Sequence, residues 1–308
     1  KYHRPVLYQE IINALQPESG GRYVDCTLGA GGHSRGILEA STPDGELLAF
    51  DLDTDAIQIA SQTLKPFGSR AHLRHESYLN ILNAIQELGW KSVDGIVIDY
   101  GVSSMQLDQA ERGFSFRMDG PLDMRFDTSK GISAAEFLNQ VEETQLADIL
   151  WKYGDEHRSR RIAAAIIANR PVETTQQLAQ IIKEAVGKPE KRGRKTIHPA
   201  TKSFQAIRIA LNHELDAVEG ILPLAVKALK PGGILAVISF HSLEDRIVKN
   251  FMRDESKDCL CPPEQLVCTC DHKATLKRLS TKPIIAKNVE LNENPRARSA
   301  KLRIAKRI

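Results

Sequence analysis

What this chain lacks narrows its class before any motif is read. No apolar run approaches the roughly 20 residues that a membrane-spanning helix needs, and no basic-then-apolar stretch opens it. No internal repeat and no low-complexity tract interrupts it, which sets aside solenoids and flexible linkers. The expectation is a cytoplasmic globular protein. Its 308 residues, at 42% hydrophobic content, suffice for one large domain or for a core domain with an insertion.

Cysteine is scarce and unevenly placed. Cys26 stands alone, while Cys259, Cys261, Cys268 and Cys270 form two C-x-C pairs within twelve residues. Clustered thiols in a cytosolic chain suit Zn²⁺ better than disulfides, yet these pairs depart from the usual C-x-x-C knuckle. Reduced thiols in a surface hairpin are the alternative, and no residue is assigned as a metal ligand.

Charge of one sign is lacking as well, since 42 Lys and Arg against 39 Asp and Glu leave a net +3. The balance hides a basic end. From Lys273 to Ile308, eleven Lys or Arg face only Glu290 and Glu293, which leaves the preceding residues net acidic. A second basic stretch, Lys188-Pro189-Glu190-Lys191-Arg192-Gly193-Arg194-Lys195, precedes a helix carrying Lys202 and Arg208. Each stretch reads either as a solvated surface or as a contact for a nucleic-acid backbone, and no amphipathic apolar face accompanies them to suggest a membrane.

What is present starts with Val24-Asp25-Cys26-Thr27-Leu28-Gly29-Ala30-Gly31-Gly32-His33-Ser34, an apolar strand joined to a helix start through glycines. Only glycine lets a main chain approach a ligand without a Cβ in the way. Leu47-Leu48-Ala49-Phe50 forms the next apolar run and ends in Asp51, where a nucleotide-binding βαβ unit places an acid on ribose hydroxyls. The dinucleotide pattern G-x-G-x-x-G starting at Gly29 would require glycine at position 34, which is Ser34. Methyltransferases that use S-adenosylmethionine are more similar: an acid after strand one, a G-x-G turn and an acid after strand two.

Strand signals at Arg22–Cys26, Glu46–Asp51, Ala71–Arg74 and Asp94–Asp99 alternate with helical stretches such as Thr54–Leu64 and Leu79–Leu88, which implies a parallel sheet covered on both faces. The pattern then turns helical. Leu146, Ile149, Leu150 and Tyr153 fall at i, i+3, i+4 and i+7 within Val141–Tyr153; Ile162, Ala163, Ile166 and Ile167 share one face of His157–Ala168; and Leu178, Ile181, Ile182 and Ala185 repeat the spacing. Strand character returns at Gly233–Ser239, after a helix stop and turn at Lys230-Pro231-Gly232-Gly233. A helical block inserted into one α/β domain explains this order.

Ile96-Val97-Ile98-Asp99-Tyr100-Gly101 puts an acid and an aromatic at the carboxyl end of strand four, where open α/β sheets bind ligands. An exocyclic amine on a pyrimidine has its lone pair delocalised into the ring. An oxygen acceptor on its N–H, with an aromatic beside the base, therefore favours attack. Asp99 is the candidate acceptor, and a turn cap is its alternative role. A sulfonium methyl is already activated, so no Ser-His-Asp set is expected. Ser242-Leu243-Glu244-Asp245 reads as a capping box with Ser242 as the cap, and His241 is left open.

Together with these, Asp99-Tyr100-Gly101-Val102-Ser103-Ser104, Glu111-Arg112-Gly113-Phe114-Ser115-Phe116, Gly120-Pro121-Leu122-Asp123-Met124-Arg125, Phe240-His241-Ser242-Leu243-Glu244-Asp245-Arg246 and Asn294-Pro295-Arg296-Ala297-Arg298-Ser299 carry a specific resemblance. Over essentially its whole length the chain resembles the bacterial RsmH (MraW) family, which methylates N4 of a decoding-centre cytidine in 16S ribosomal RNA of the small subunit. The resemblance implies a class I S-adenosylmethionine-dependent methyltransferase, a Rossmann-like α/β fold with helices on both faces of a mostly parallel sheet. It implies a discontinuous core over residues 1–104 and 200–308, and an inserted all-helical substrate-recognition domain over 105–199.

The same resemblance implies S-adenosylmethionine as cofactor, with contacts at Gly31, Gly32, His33, Asp51, Tyr78, Asp99 and Gln106, and small-subunit ribosomal RNA as partner, within the 30S particle. Oligomeric state stays open, a homodimer included. Tyr100 stands where the family more often has leucine, and the cysteine cluster occurs in only part of the family. An NAD-dependent oxidoreductase and a non-catalytic RNA-binding assembly factor are the competing readings. The first leaves the basic stretches and the helical block unexplained, and the second leaves the intact glycine loop unexplained.

Overall fold

Apolar side chains alternate along the strands and yet are buried on both sides. Val24, Leu48, Phe50, Ile96, Ile98 and Val237 belong to one core cluster, while Tyr23, Leu47, Ala49, Val97, Ala236 and Ile238 belong to another. Strands apolar on both faces need a layer of helices on each, which is the reason for a parallel sheet here. The computed structural model describes residues 5–187, 198–265 and 267–308. The basic loop Lys188–Lys195 lies outside the described residues.

In chain order the elements are α1 (Tyr8–Leu15), β1 (Arg22–Asp25), α2 (Gly32–Ala40), β2 (Glu46–Asp51), α3 (Thr54–Leu64), β3 (Ala71–His75), α4 (Ile81–Glu87) and β4 (Val93–Asp99). Among the described residues there follow α5 (Ser104–Asp108), α6 (Ala134–Gln140), α7 (Glu143–Gly154), α8 (Ser159–Ala168), α9 (Thr175–Val186) and α10 (Ala200–Asn212). The chain closes with α11 (Glu214–Ala228), β5 (Leu229–Ser239), α12 (Ser242–Asp254), β6 (Leu276–Arg278), α13 (Asn288–Glu293) and β7 (Lys301–Arg307).

Two compact units result, one formed by Lys1–Gly101 with Asp216–Ile308 and the other by Val102–Leu215. The first holds a seven-stranded sheet in the order β3-β2-β1-β4-β5-β7-β6. β1 pairs in parallel with β2 and β4, β2 with β3, and β4 with β5, whereas β7 runs antiparallel to both β5 and β6. After β1 the chain fills one side of the sheet and then the other. The strand order therefore reverses between β1 and β4, and the carboxyl ends at such a reversal are where open α/β sheets bind ligands.

The second unit is helical. Leu146, Leu150, Ile162, Ala163, Ile166, Leu178 and Ile182 are buried in its core, each on the apolar stripe of its helix. Phe204, Ala206 and Ile207 of α10 join that core. The expected return to the sheet domain at residue 200 is corrected accordingly: α10 is amphipathic and buries its apolar face among helices, and the boundary falls after Leu215.

The expected turn at Lys230–Gly233 is corrected too. Leu229–Ser239 is one strand, whose register on β4 jumps from Val93↔Leu229 to Gly95↔Ile234. Glycine and proline mark an irregularity within the strand rather than its start, and Gly232 takes φ +87°. The basic C-terminal stretch is likewise no solvated tail, since α13, β6 and β7 build it into the fold.

Candidate functional site

Backbone hydrogen bonds fix the glycine turn after β1 to both neighbouring strands. Cys26 N–H donates to Val97 O (2.9 Å) and Leu28 N–H to Phe50 O (2.9 Å). Side chains complete the lacing. Gly29 N–H donates to Asp51 Oδ2 (2.8 Å), and Asp99 N–H donates to Thr27 Oγ1 (2.7 Å). The ends of β1, β2 and β4 are thereby held around one loop.

Asp25, at the end of β1, is buried and accepts from Thr27 N–H (3.0 Å) and from the Ser34 hydroxyl (2.7 Å). Burial raises its carboxyl above the ordinary carboxylate range, against the influence of His33 and these donors. Asp51 accepts from Gly29 N–H and, through Oδ1, from Asp53 N–H (2.9 Å). Burial pushes the Asp51 carboxyl up to about 6, although both backbone donors favour its charged form.

The glycines divide their work. Gly29 (φ +50°) and Gly31 (φ +81°) hold left-handed backbone. A Cβ on Gly29 would meet nothing within 4 Å, so the turn is open there. A Cβ on Gly31 would make only ordinary contact with Ala60 Cβ (3.4 Å), so its left-handed backbone is what calls for glycine there, whereas one on Gly32 would lie 2.4 Å from Pro5 Cγ, so close packing at the start of α2 calls for glycine at that position. Gly31 N–H donates inside the turn to Leu28 O (2.8 Å). The ligand-facing part is thus the Gly29 turn with the first turn of α2, whose leading N–H groups lack intrahelical acceptors.

His33, in that first turn, is buried, and its ring stacks on Tyr8 with centroids 6.4 Å apart. Its Nε2 lies 3.6 Å from Asp99 Oδ2. Among the described residues neither His33 nitrogen nor Asp99 Oδ1 has a hydrogen-bond partner, although all three atoms are buried. Buried polar atoms without partners are uncommon in folded proteins, and here three converge beside an open glycine turn.

Tyr78 begins a 3₁₀ turn just beyond β3 and packs half-buried against the core. Tyr100 corrects the expectation of an aromatic beside a base. It shares the face of Ile96 and Ile98, is buried in their cluster, and burial pushes its phenol well above the ordinary range. A strand alternates its faces, so Asp99 at the site turns Tyr100 inward. Phe240, just past the end of β5, is an aromatic at the carboxyl edge of the sheet that the sequence reading did not single out. Its Cδ2 lies 3.5 Å from where a Cβ on Gly101 would stand, and the only sequence signal was its position at a strand's carboxyl end.

Gln106 lies in the helical unit, buried, as the third residue of α5. Its Oε1 accepts from Ser103 N–H (3.0 Å) and its N–H donates to Ser103 Oγ (3.2 Å), a reciprocal cap. The cap expected at Ser242 sits one residue earlier: His241 Nδ1 accepts from Glu244 N–H (3.4 Å), and Glu244 Oε2 accepts from the N–H groups of Phe240 (2.8 Å) and His241 (3.3 Å).

The blocks Glu111–Phe116 and Gly120–Arg125 of the helical unit carry structural ties. Arg112 donates to the carbonyls of Arg125 (3.0 Å) and Phe126 (3.2 Å), and Arg125 pairs with Asp123 at 2.7 Å. Of the basic end, Arg303 is buried against Asp245, while Lys273, Lys277, Lys282, Lys287, Arg298 and Lys306 are exposed.

A reversed strand entering beside β5 separates this sheet from the all-parallel dinucleotide-binding arrangement, and with the carboxylate-ringed glycine turn it defines a class I S-adenosylmethionine-dependent methyltransferase. The residues fit that cofactor: Asp51 suits ribose hydroxyls, the first-turn N–H groups suit a carboxylate, and the unpartnered atoms of His33 and Asp99 can take further polar groups. The chain belongs to the MraW methylase family, whose model matches residues 1–308.

Relatives named ribosomal RNA small subunit methyltransferase H include one from Dehalococcoides mccartyi, 49% identical over 306 residues (99% of this chain, 86% of the relative). Those from Nitratidesulfovibrio vulgaris and Geotalea uraniireducens are 50% and 48% identical, covering 99% and 100% of this chain and 86% and 99% of the relatives. A solved rRNA methylase from Streptococcus thermophilus aligns over 100% of this chain and 99% of its own at 10% identity and a TM-score of 0.44; at that similarity the strand order carries the fold. Family membership removes the oxidoreductase alternative.

Proposed function

We propose that this protein methylates the exocyclic N4 of a decoding-centre cytidine in small-subunit ribosomal RNA, acting in the cytoplasm on the 30S particle. The names of its relatives support the RNA. The observation that carries the chemistry is Asp99 Oδ1, a buried carboxylate oxygen without a partner among the described residues, at the end of β4 beside the open Gly29 turn.

S-adenosylmethionine supplies a methyl group already activated on a sulfonium. Asp51 would bind the ribose hydroxyls, the first-turn N–H groups of Gly32 and His33 would bind the carboxylate, and Tyr78 would add a further cofactor contact. Asp99 accepts a hydrogen bond from the cytosine amine, which orients the nitrogen for in-line attack, and takes the proton that N4 sheds as the new C–N bond forms. Phe240 flanks the base. The helical unit recognises substrate, and the exposed lysines of the C-terminal stretch contact the RNA backbone.

Methyl incorporation from labelled S-adenosylmethionine into unmethylated small subunits and into protein-free RNA, followed by digestion to nucleosides, tests this reading. The expected product is N4-methylcytidine at a single position, formed faster in the particle. At cofactor concentrations that saturate the variant, Asp99→Ala should lose about 10²-fold or more in turnover. Full activity of that variant would overturn the role given to Asp99, and methylation of a different base would overturn the substrate.

A further inference from the structure

The four cysteines that the methylation chemistry does not use converge between α12 and β6. The Sγ atoms of Cys259, Cys261, Cys268 and Cys270 all lie within 4.8 Å of one another. Cys259 to Cys268 is 3.5 Å, Cys268 to Cys270 is 3.6 Å and Cys270 to Cys259 is 3.8 Å. A disulfide would draw a pair to about 2.05 Å. Four thiolates at about 2.3 Å from a tetrahedral zinc stand about 3.8 Å apart, close to the separations among Cys259, Cys268 and Cys270, with Cys261 Sγ within 4.8 Å of all three.

The backbone is arranged for charged sulfur. Leu260 N–H donates to Cys270 Sγ (3.3 Å), Cys261 N–H to Cys259 Sγ (3.4 Å) and Thr269 N–H to Cys261 Sγ (3.5 Å). Donors of this kind orient a metal's ligands and stabilise their charge.

Burial makes a second, independent argument. From Arg253 to Thr275 no described residue is buried, and Leu260 and Val267 are both exposed. Yet the stretch has a closed base, where Thr275 N–H and Leu276 N–H both donate to Glu255 O (2.8 and 3.0 Å). A loop of this length without secondary structure or a core of its own needs another source of order. Hydrophobic packing cannot supply it here, and a metal can.

We propose that Cys259, Cys261, Cys268 and Cys270 bind one Zn²⁺ as a closed tetrathiolate site that clamps this loop. Four protein sulfurs leave no open coordination position, so the site is structural. It is also remote from methyl transfer. The loop enters β6 at Leu276, opposite Arg307, and neighbouring Lys306 pairs with Ile234, which is level with Gly95 near the start of β4, so the loop joins the sheet toward the starting edge of the parallel strands, away from Asp51 and Asp99 at their carboxyl ends. The absence of any assigned metal ligand in the sequence reading is revised by this proposal.

Elemental analysis of the full chain, purified under reducing conditions, should find about one zinc per chain, and the Cys259→Ser/Cys268→Ser variant should hold at least about tenfold less. Cobalt replacing the zinc should give the visible d–d absorption of a tetrahedral thiolate centre. Limited proteolysis of the variant should cut within residues 256–275 at least about tenfold faster, with S-adenosylmethionine affinity unchanged. Free thiols that take up no zinc at micromolar metal, iron in place of zinc, or a disulfide within the cluster would each overturn the proposal.

Discussion

His33 Nε2 stands 3.6 Å from Asp99 Oδ2, joining the first turn of α2 to the end of β4 across the strand-order reversal. Helix, strand and glycine turn are fixed by their own hydrogen bonds, so the two side chains are held ready rather than drawn together by a ligand. Desolvated polar atoms without partners cost stability, and a ligand that completes them recovers it.

Replacing His33 with Phe keeps a ring to stack on Tyr8 and removes both nitrogens. Thermal unfolding should change little, whereas calorimetry should find S-adenosylmethionine bound about tenfold more weakly, the equivalent of about one hydrogen bond. Unchanged affinity would reduce His33 to a packing residue.

Asp51 gives the site a pH dependence. An unfolded aspartate ionises near 4, whereas this one is pushed up to about 6. Between those values the folded chain holds a proton that the unfolded chain releases, so this group's contribution to stability falls as pH rises through the window and is level above it. Ribose hydroxyls donate to the ionised carboxylate. Cofactor affinity should therefore rise about tenfold from pH 5 to pH 7, in step with the ionised fraction. An Asp51→Asn protein should bind weakly with a flat profile, and an equal slope in that variant would assign the titration elsewhere.

Gly32→Ala tests close packing at the start of α2. The new Cβ would lie 2.4 Å from Pro5 Cγ, in a ring with little freedom to yield. A loss of about 1–3 kcal/mol in stability is expected from denaturant unfolding. Cofactor affinity should fall with it, since the displaced turn carries the binding N–H groups. A variant as stable as the parent would show that the Pro5 segment moves freely.

Asp245 of α12 and Arg303 of β7 form a two-pronged buried pair, with Nε to Oδ1 at 2.7 Å and Nη2 to Oδ2 at 3.2 Å. Burial pushes the Asp245 carboxyl up, but Arg303 and Lys301 outweigh it and hold the group below the ordinary range. Its stabilisation is present above the unfolded value near 4 and is lost as pH falls. Asp245→Ala should cost about 3–5 kcal/mol at pH 7, because Arg303 is left buried and unpaired. Asp245→Leu combined with Arg303→Leu should recover most of that in urea unfolding, and additive losses in the double variant would argue against coupling.

Much of this was legible in the sequence where a local cause sets the outcome. Glu46–Asp51 and Thr54–Leu64 match the spans read from periodicity, and Asp53 caps α3 by accepting from Asp55 N–H (3.0 Å). Asp51 and Asp99 were readable as site candidates because strand ends on one edge of a parallel sheet gather ligands. The inward turn of Tyr100 was missed because residue type was weighed over strand parity. His241 was missed as a cap because its imidazole acts where a hydroxyl was sought. The approach of His33 to Asp99 depends on the pairing of Val24 with Ile96, a register set by tertiary packing.

The pairing of β4 with β5 also sets a timetable for maturation. A nascent chain presents β4 with its outer edge unpaired, and the whole of Val102–Leu215 and then α11 must be synthesised before β5 can cover it. Helices close on near neighbours and fold quickly, whereas the sheet awaits partners far along the chain. The helical unit should therefore mature while the sheet still offers an open edge to stray strands, and the cofactor crevice, walled by β4, should become competent only late in synthesis.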